Sequence, residues 1–132
     1  MARAKFEHRG TFVQKNLRLG EATYTLNAIE CEGAWTAEAR KGASGMRVGP
    51  PATASTAEDA IARLVRWLGW QRDHEDALAA LQTAEQTYHR AIAGSGFASG
   101  LAEATEVQQE ALQRIEEARL RLEEIRQNQP EV

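Results

Sequence analysis

One cysteine, Cys31, stands in 132 residues, so no intrachain disulfide can form and packing alone has to hold the fold. A reducing, cytoplasmic setting is the expectation that follows. No stretch of about 18 apolar residues occurs anywhere, which excludes a membrane-spanning helix. The opening Met-Ala-Arg-Ala-Lys-Phe-Glu-His-Arg-Gly carries charge with no apolar run behind it, so no secretory leader is expected. Histidine is scarce and scattered: His8, His74 and His89 lie far apart, and none has the second ligand that a metal-binding spacing requires. No cofactor and no metal are expected. The glycine-rich piece Gly42-Ala43-Ser44-Gly45 lacks the Gly-Lys-Ser/Thr ending that grips phosphates, and no serine sits in a nucleophile elbow. Cys31 lies between two carboxylates, Glu30 and Glu32, the wrong neighbours for cysteine chemistry. These absences together predict a protein that is not an enzyme.

Lysine is also missing from everything after Lys41, and this exposes a charge asymmetry inside a net charge of −3. Residues 1–56 hold eight Lys/Arg against five Asp/Glu, a balance of +3, whereas residues 57–132 hold eight Arg against fourteen Asp/Glu, a balance of −6. An acidic second half repels a phosphate backbone, so any nucleic-acid contact falls to the first half. The cations placed for that role are Arg40, Lys41 and Arg47.

Three stretches of the first half read as strands. Thr11 to Leu19 is rich in β-branched and large apolar residues and stops at Gly20. Ala22 to Cys31 alternates, with Tyr24, Leu26 and Ala28 on one face, and the run after Gly33 alternates in the same way through Trp35, Ala37 and Ala39. A two-residue turn at Glu32-Gly33 pairs Ala28 with Ala37 and Leu26 with Ala39, which gathers the apolar side chains on one face and sets Thr25 opposite Arg40 on a wet one. Gly42 to Ser55, with three glycines and the pair Pro50-Pro51, reads as a long loop holding at most a short extended piece at Met46-Arg47-Val48.

Helical periodicity takes over after Ser55. Ser55 or Thr56 can cap, since Glu58 and Asp59 respectively lie three residues on, and Ile61, Leu64, Val65 and Leu68 form a stripe suited to cover the apolar sheet face. Gly69 predicts a kink or short break, with helix resuming to about Ile92 and Trp67 and Trp70 filling the junction. From there alanines recur every seventh residue, at Ala77, Ala84 and Ala91, and again at Ala104, Ala111 and Ala118 beyond the Gly/Ser-rich joint Ala93–Gly100. With Leu81, Tyr88, Ile115 and Leu122 between them, this is the 3-4 spacing of two helices sharing a seam. The second helix is expected over about Leu101 to Gln127.

The fold class that follows is α+β: a small antiparallel sheet of about three strands covered by one amphipathic helix, then a long, coiled-coil-like antiparallel helical hairpin. Residues 1–68 form the sheet part and residues 69–132 the hairpin. Leu78, Ile92, Val107 and Leu112 lie outside the seam and are assigned to an oligomer interface, because a two-helix hairpin cannot bury them alone. One segment, the alternating hairpin, a glycine-containing loop and Thr56-Ala57-Glu58-Asp59-Ala60 opening a helix, is similar to the small antitoxin domains of the HicB type over about residues 22–68. The glycine and proline-aspartate features usual between those strands and that helix are not matched, and the long hairpin has no counterpart there. The function expected is a non-enzymatic, self-associating interaction or scaffold protein, a dimer with a further protein partner and no membrane contact. The alternative is a nucleic-acid-binding or antitoxin-like regulator using the basic first half, as the resemblance implies.

Overall fold

The computed structural model describes residues 11–94 and 101–132, with residues 101–104 described by their backbone alone. Four strands, β1 (Phe12–Leu19), β2 (Ala22–Cys31), β3 (Ala34–Lys41) and β4 (Arg47–Ala54), are followed by two helices, α1 (Ala57–Gly94) and α2 (Leu101–Gln127). The architecture is α+β. The strands form one antiparallel meander in the order β1-β2-β3-β4, so each strand pairs with its sequence neighbour and β1 and β4 are the edges. Two compact units divide the chain, the first reaching Trp70 and taking in Pro130–Val132, the second Gln71–Gln129. Most of the joint, residues 95–100, and the side chain of Ala104 lie outside the described residues.

The β2–β3 register is the expected one, with Ala28 opposite Ala37, Leu26 opposite Ala39 and Thr25 opposite Arg40. Glu32 and Gly33 take φ values of 55° and 83°, the left-handed pair that a tight two-residue hairpin turn requires of its central residues. Leu26, Ala28, Ala37 and Ala39 are all fully buried on one face. The residues opposite them on β1 share that face, so Val13, Lys15 and Leu17 belong to the covered side and Gln14, Asn16 and Arg18 to the open side.

The sheet has four strands where about three were expected, because the segment read as a loop pairs with β3 through its proline pair. Ala37 faces Ala52 and Ala39 faces Val48, which leaves Gly49, Pro50 and Pro51 standing against Glu38 alone in an irregular stretch of the ladder. Proline lacks the N–H that a ladder bond needs, and it is accommodated here because β4 is an edge strand and the register slips at that point.

Of the two expected caps, Ser55 and Thr56, helix α1 uses the second: the Asp59 N–H donates to Thr56 Oγ1 at 3.1 Å. Its stripe lies on the sheet, and Ile61, Leu64, Trp67 and Leu68 share a core with Leu26 and the alanines Ala28, Ala37, Ala39 and Ala52. Large side chains from the helix meet methyl groups from the strands, which fills the layer between them. Trp67 and Trp70 stack obliquely, with ring centroids 6.0 Å apart, and both belong to the sheet unit.

No break occurs at Gly69; α1 runs unbroken for 38 residues. The cost of one glycine, roughly 1 kcal/mol relative to alanine, is outweighed by the burial of Leu68 and Trp67 beside it. A Cβ built at Gly69 meets nothing within 4 Å. Gly69→Ala is therefore expected to stabilise the protein by about 0.5–1 kcal/mol, read as a rise in the thermal midpoint. An unchanged or lowered midpoint would mean that the helix needs glycine there.

In the helical unit Ala77, Ala111, Ile115, Leu122 and Ile125 are buried, and Ala118 is half-buried between them on α2. Positions 111, 115, 118, 122 and 125 keep the 3-4 spacing throughout. Polar contacts cross between the helices: Arg126 Nε donates to His74 Nε2 at 3.2 Å, and Arg119 lies 3.9 Å from Glu85. The earlier α1 residue meets the later α2 residue, which is antiparallel order. Asn128 closes α2 by donating its side-chain amide to the Glu124 carbonyl at 2.8 Å.

Candidate functional site

At 100° per residue, Leu78, Glu85 and Ile92 fall on one flank of the α1 seam, and Leu112, Arg119 and Arg126 on one flank of the α2 seam. The Arg119–Glu85 ion pair joins those two flanks, so Leu78, Ile92 and Leu112 share a rim of the helical unit with that pair between them. Ile92 is 42% exposed and Leu112 47%, while Leu78 is half-buried. Val107 is 50% exposed but lies about 140° around α2 from Leu112, on the other rim. Leu120, 63% exposed on the outer surface of α2, was not among the expected interface residues, because its position falls furthest from the seam.

Of the three cations assigned to nucleic acid, two share a face of the sheet by register and the third alternates away from them. Arg40 and Arg47 are cross-strand partners on the open face of the sheet. Lys41 is opposite Tyr24, whose ring packs against the core, and it therefore starts from the covered face. The Arg40 guanidinium is held by Glu38 at 3.2 Å and donates to the Gly45 carbonyl at 3.1 Å. An exposed pair of this kind contributes little to stability, yet it does offset the positive charge that a phosphate would meet.

A third feature escaped the sequence reading. Edge strand β1 and the first turns of α1 enclose a groove of about 590 Å³ within the sheet unit. Val13, Ile61, Ala62 and Val65 provide an apolar floor, and Lys15, Glu58 and Arg66 stand around it, with Gln14 at the strand edge. One signal was present in the sequence: Lys15 interrupts the apolar phase of Val13, Leu17 and Leu19, so a charge sits on the face that the helix covers. A lysine in that phase belongs at an edge, where its ammonium can reach solvent.

Among the described residues there is no cluster of three or more His, Cys, Asp or Glu able to hold a metal ion, and no helix long and apolar enough to cross a membrane. Buried side-chain polar atoms among them are all hydrogen-bonded. No family model, curated protein or solved structure matches the chain, so the functional reading rests on these surfaces.

Proposed function

We propose that the protein is a non-enzymatic, self-associating interaction protein, with the helical unit as its oligomerisation element and a two-fold dimer as its simplest form. One observation carries this: of the seven large apolar side chains left exposed among the described residues, four, Ile92, Val107, Leu112 and Leu120, stand on the helical unit. Exposed apolar side chains on the two helices of one unit suit a surface that another molecule covers. Both rims contribute, which suits a four-helix arrangement, where each helix has two neighbours, better than a patch on one side. Coiled-coil packing along the 3-4 seam belongs to the same reading, as does a cytoplasmic location, which suits the exposed free thiol of Cys31. The nucleic-acid alternative has less behind it, since Lys41 and Arg40 start from opposite faces and Glu38 engages Arg40.

Light scattering over a range of concentrations tests the proposal. The expected mass is twice the chain's 14.6 kDa. Ile92→Glu combined with Leu112→Glu should return it to the single-chain value with helix content retained, because a carboxylate buried in an apolar interface costs several kcal/mol. A concentration-independent mass of 14.6 kDa for the unmodified protein would end the proposal.

A further inference from the structure

The groove beside β1 adjoins a sheet edge that carries no further strand among the described residues, and the two features address the same kind of ligand. No described strand pairs with the outer side of β1. The Glu30 N–H donates to the Thr11 carbonyl at 3.0 Å, so residues in the phase of Thr11 turn their main-chain groups toward β2. Residues in the other phase, Gln14 and Asn16 among them, turn theirs outward, as alternation in an antiparallel ladder requires. An extended segment laid along β1 would meet those donors and acceptors. Every second side chain of that segment would then point to the covered side of the sheet, which here is the apolar floor of Val13, Ile61 and Val65. Glu58 and Arg66 are separated by eight residues of helix, on the order of 12 Å, and that length matches roughly four residues of extended chain.

Charge decides what kind of strand fits. Strand β1 reads Phe-Val-Gln-Lys-Asn-Leu-Arg-Leu and contains no carboxylate, while Lys15 and Arg18 give it two positive charges. A second copy of β1 paired antiparallel about Lys15 would set Lys15 opposite Lys15 on the covered face, which is unfavourable across strands, and in any register it would bring no carboxylate to the groove. A segment carrying a carboxylate is favoured instead. Around the groove the cations Lys15 and Arg66 outnumber the single carboxylate Glu58.

We infer that the outer edge of β1 at Gln14 and Asn16 and the adjoining groove dock an acidic, extended peptide segment of another protein, which adds as a fifth strand. Its alternate apolar side chains enter between β1 and α1, and its carboxylate is drawn by Lys15 and Arg66. This inference concerns the sheet unit and is independent of the self-association assigned to the helical one.

The test uses the full chain, isotope-labelled for amide spectra, titrated with the peptide acetyl-Thr-Val-Thr-Val-Thr-Glu-Thr-amide and with a control in which lysine replaces the glutamate. Shifts are expected at the amides of Gln14 and Asn16 and along Ile61 to Arg66, with the glutamate peptide binding about tenfold more tightly than the control. Gln14→Pro removes one outward N–H without removing a β1–β2 ladder bond, and edge strands tolerate proline. It should weaken binding about tenfold while the thermal midpoint stays within a few degrees. Ala62→Trp, which fills the groove from an exposed helix position, should do the same and decides the matter if the proline variant does not fold. Three results would overturn the inference: no shifts at about millimolar peptide, near the weak limit of specific recognition; equal affinity for both peptides; or unchanged binding by the folded variants. A lower solution mass for Gln14→Pro would also overturn it, by making a second copy the occupant of the edge. Failure of Ile92→Glu and Leu112→Glu to change the mass would leave the groove result standing.

Discussion

Gly49→Ala is expected to destabilise the protein by about 2–4 kcal/mol, a large effect for a single methyl group, from two causes that add. Gly49 has φ of 73°, a left-handed conformation that any residue with a Cβ adopts at a cost. Its added Cβ would stand 2.5 Å from Trp67 Cζ3 and 2.9 Å from Cε3, distances that require something to move. Trp67 has little room to retreat, since it is only 9% exposed and wedged into the core shared by α1 and the sheet. Gly45→Ala separates the two causes, because Gly45 has φ of 69° yet a Cβ there meets nothing within 4 Å. That variant should lose only about 1 kcal/mol, the backbone part. Urea denaturation of both variants gives the difference, and equal losses would show that the indole does not rest on the Gly49 backbone.

The second large effect is Leu64→Ala, expected to cost about 3–5 kcal/mol, in the upper part of the range for buried leucines. Leu64 is fully buried, one of the two largest side chains in that state. On the sheet side its core holds Leu26 and the alanines Ala28, Ala37, Ala39 and Ala52, whose methyl groups have no rotamers with which to fill a cavity. The strands behind them are held in register by the ladder, so the void left by the missing carbons largely persists and its walls lose dispersion contacts. A fall in thermal midpoint of about 12–20 °C is the corresponding observation. Leu120→Ala, at a position 63% exposed, should change stability by no more than about 0.5 kcal/mol in the single chain. A loss at Leu64 as small as that would mean that the layer between α1 and the sheet closes over the gap.

Where pattern and turn chemistry agreed, the sequence was sufficient. Alternation in Ala22 to Cys31, its echo after Gly33 and the two-residue turn between them all specify one register, because a slip by one residue would turn every alanine of the core outward. A cap at Ser55 or Thr56, the stripe from Ile61 to Leu68 and the end of α2 near Gln127 were legible for the same reason: each is set by residues within a turn or two of one another. Local signals misled at Pro50-Pro51 and at Gly69, where proline and glycine ordinarily stop an element. There the neighbours decide, an edge position and a register slip for the first and the buried pair Trp67-Leu68 for the second. The residues proposed for self-association show the limit within a helix: their place outside the seam follows from the heptad, but the sharing of a rim by Leu78, Ile92 and Leu112 depends on how the Glu85 and Arg119 flanks meet.

By itself, then, the chain determined its α+β class, the β2–β3 register and a cap for α1 at Ser55 or Thr56, because periodicity and turn chemistry act over short separations where each residue constrains the next. Only the tertiary structure decided that the glycine-proline segment is a fourth strand, that Arg47 stands opposite Arg40 on the sheet's far edge, and that β1 ends the sheet beside a groove. Those outcomes depend on which strand lies at an edge and on what packs across the layer, and both are settled by long-range contacts that local sequence does not encode.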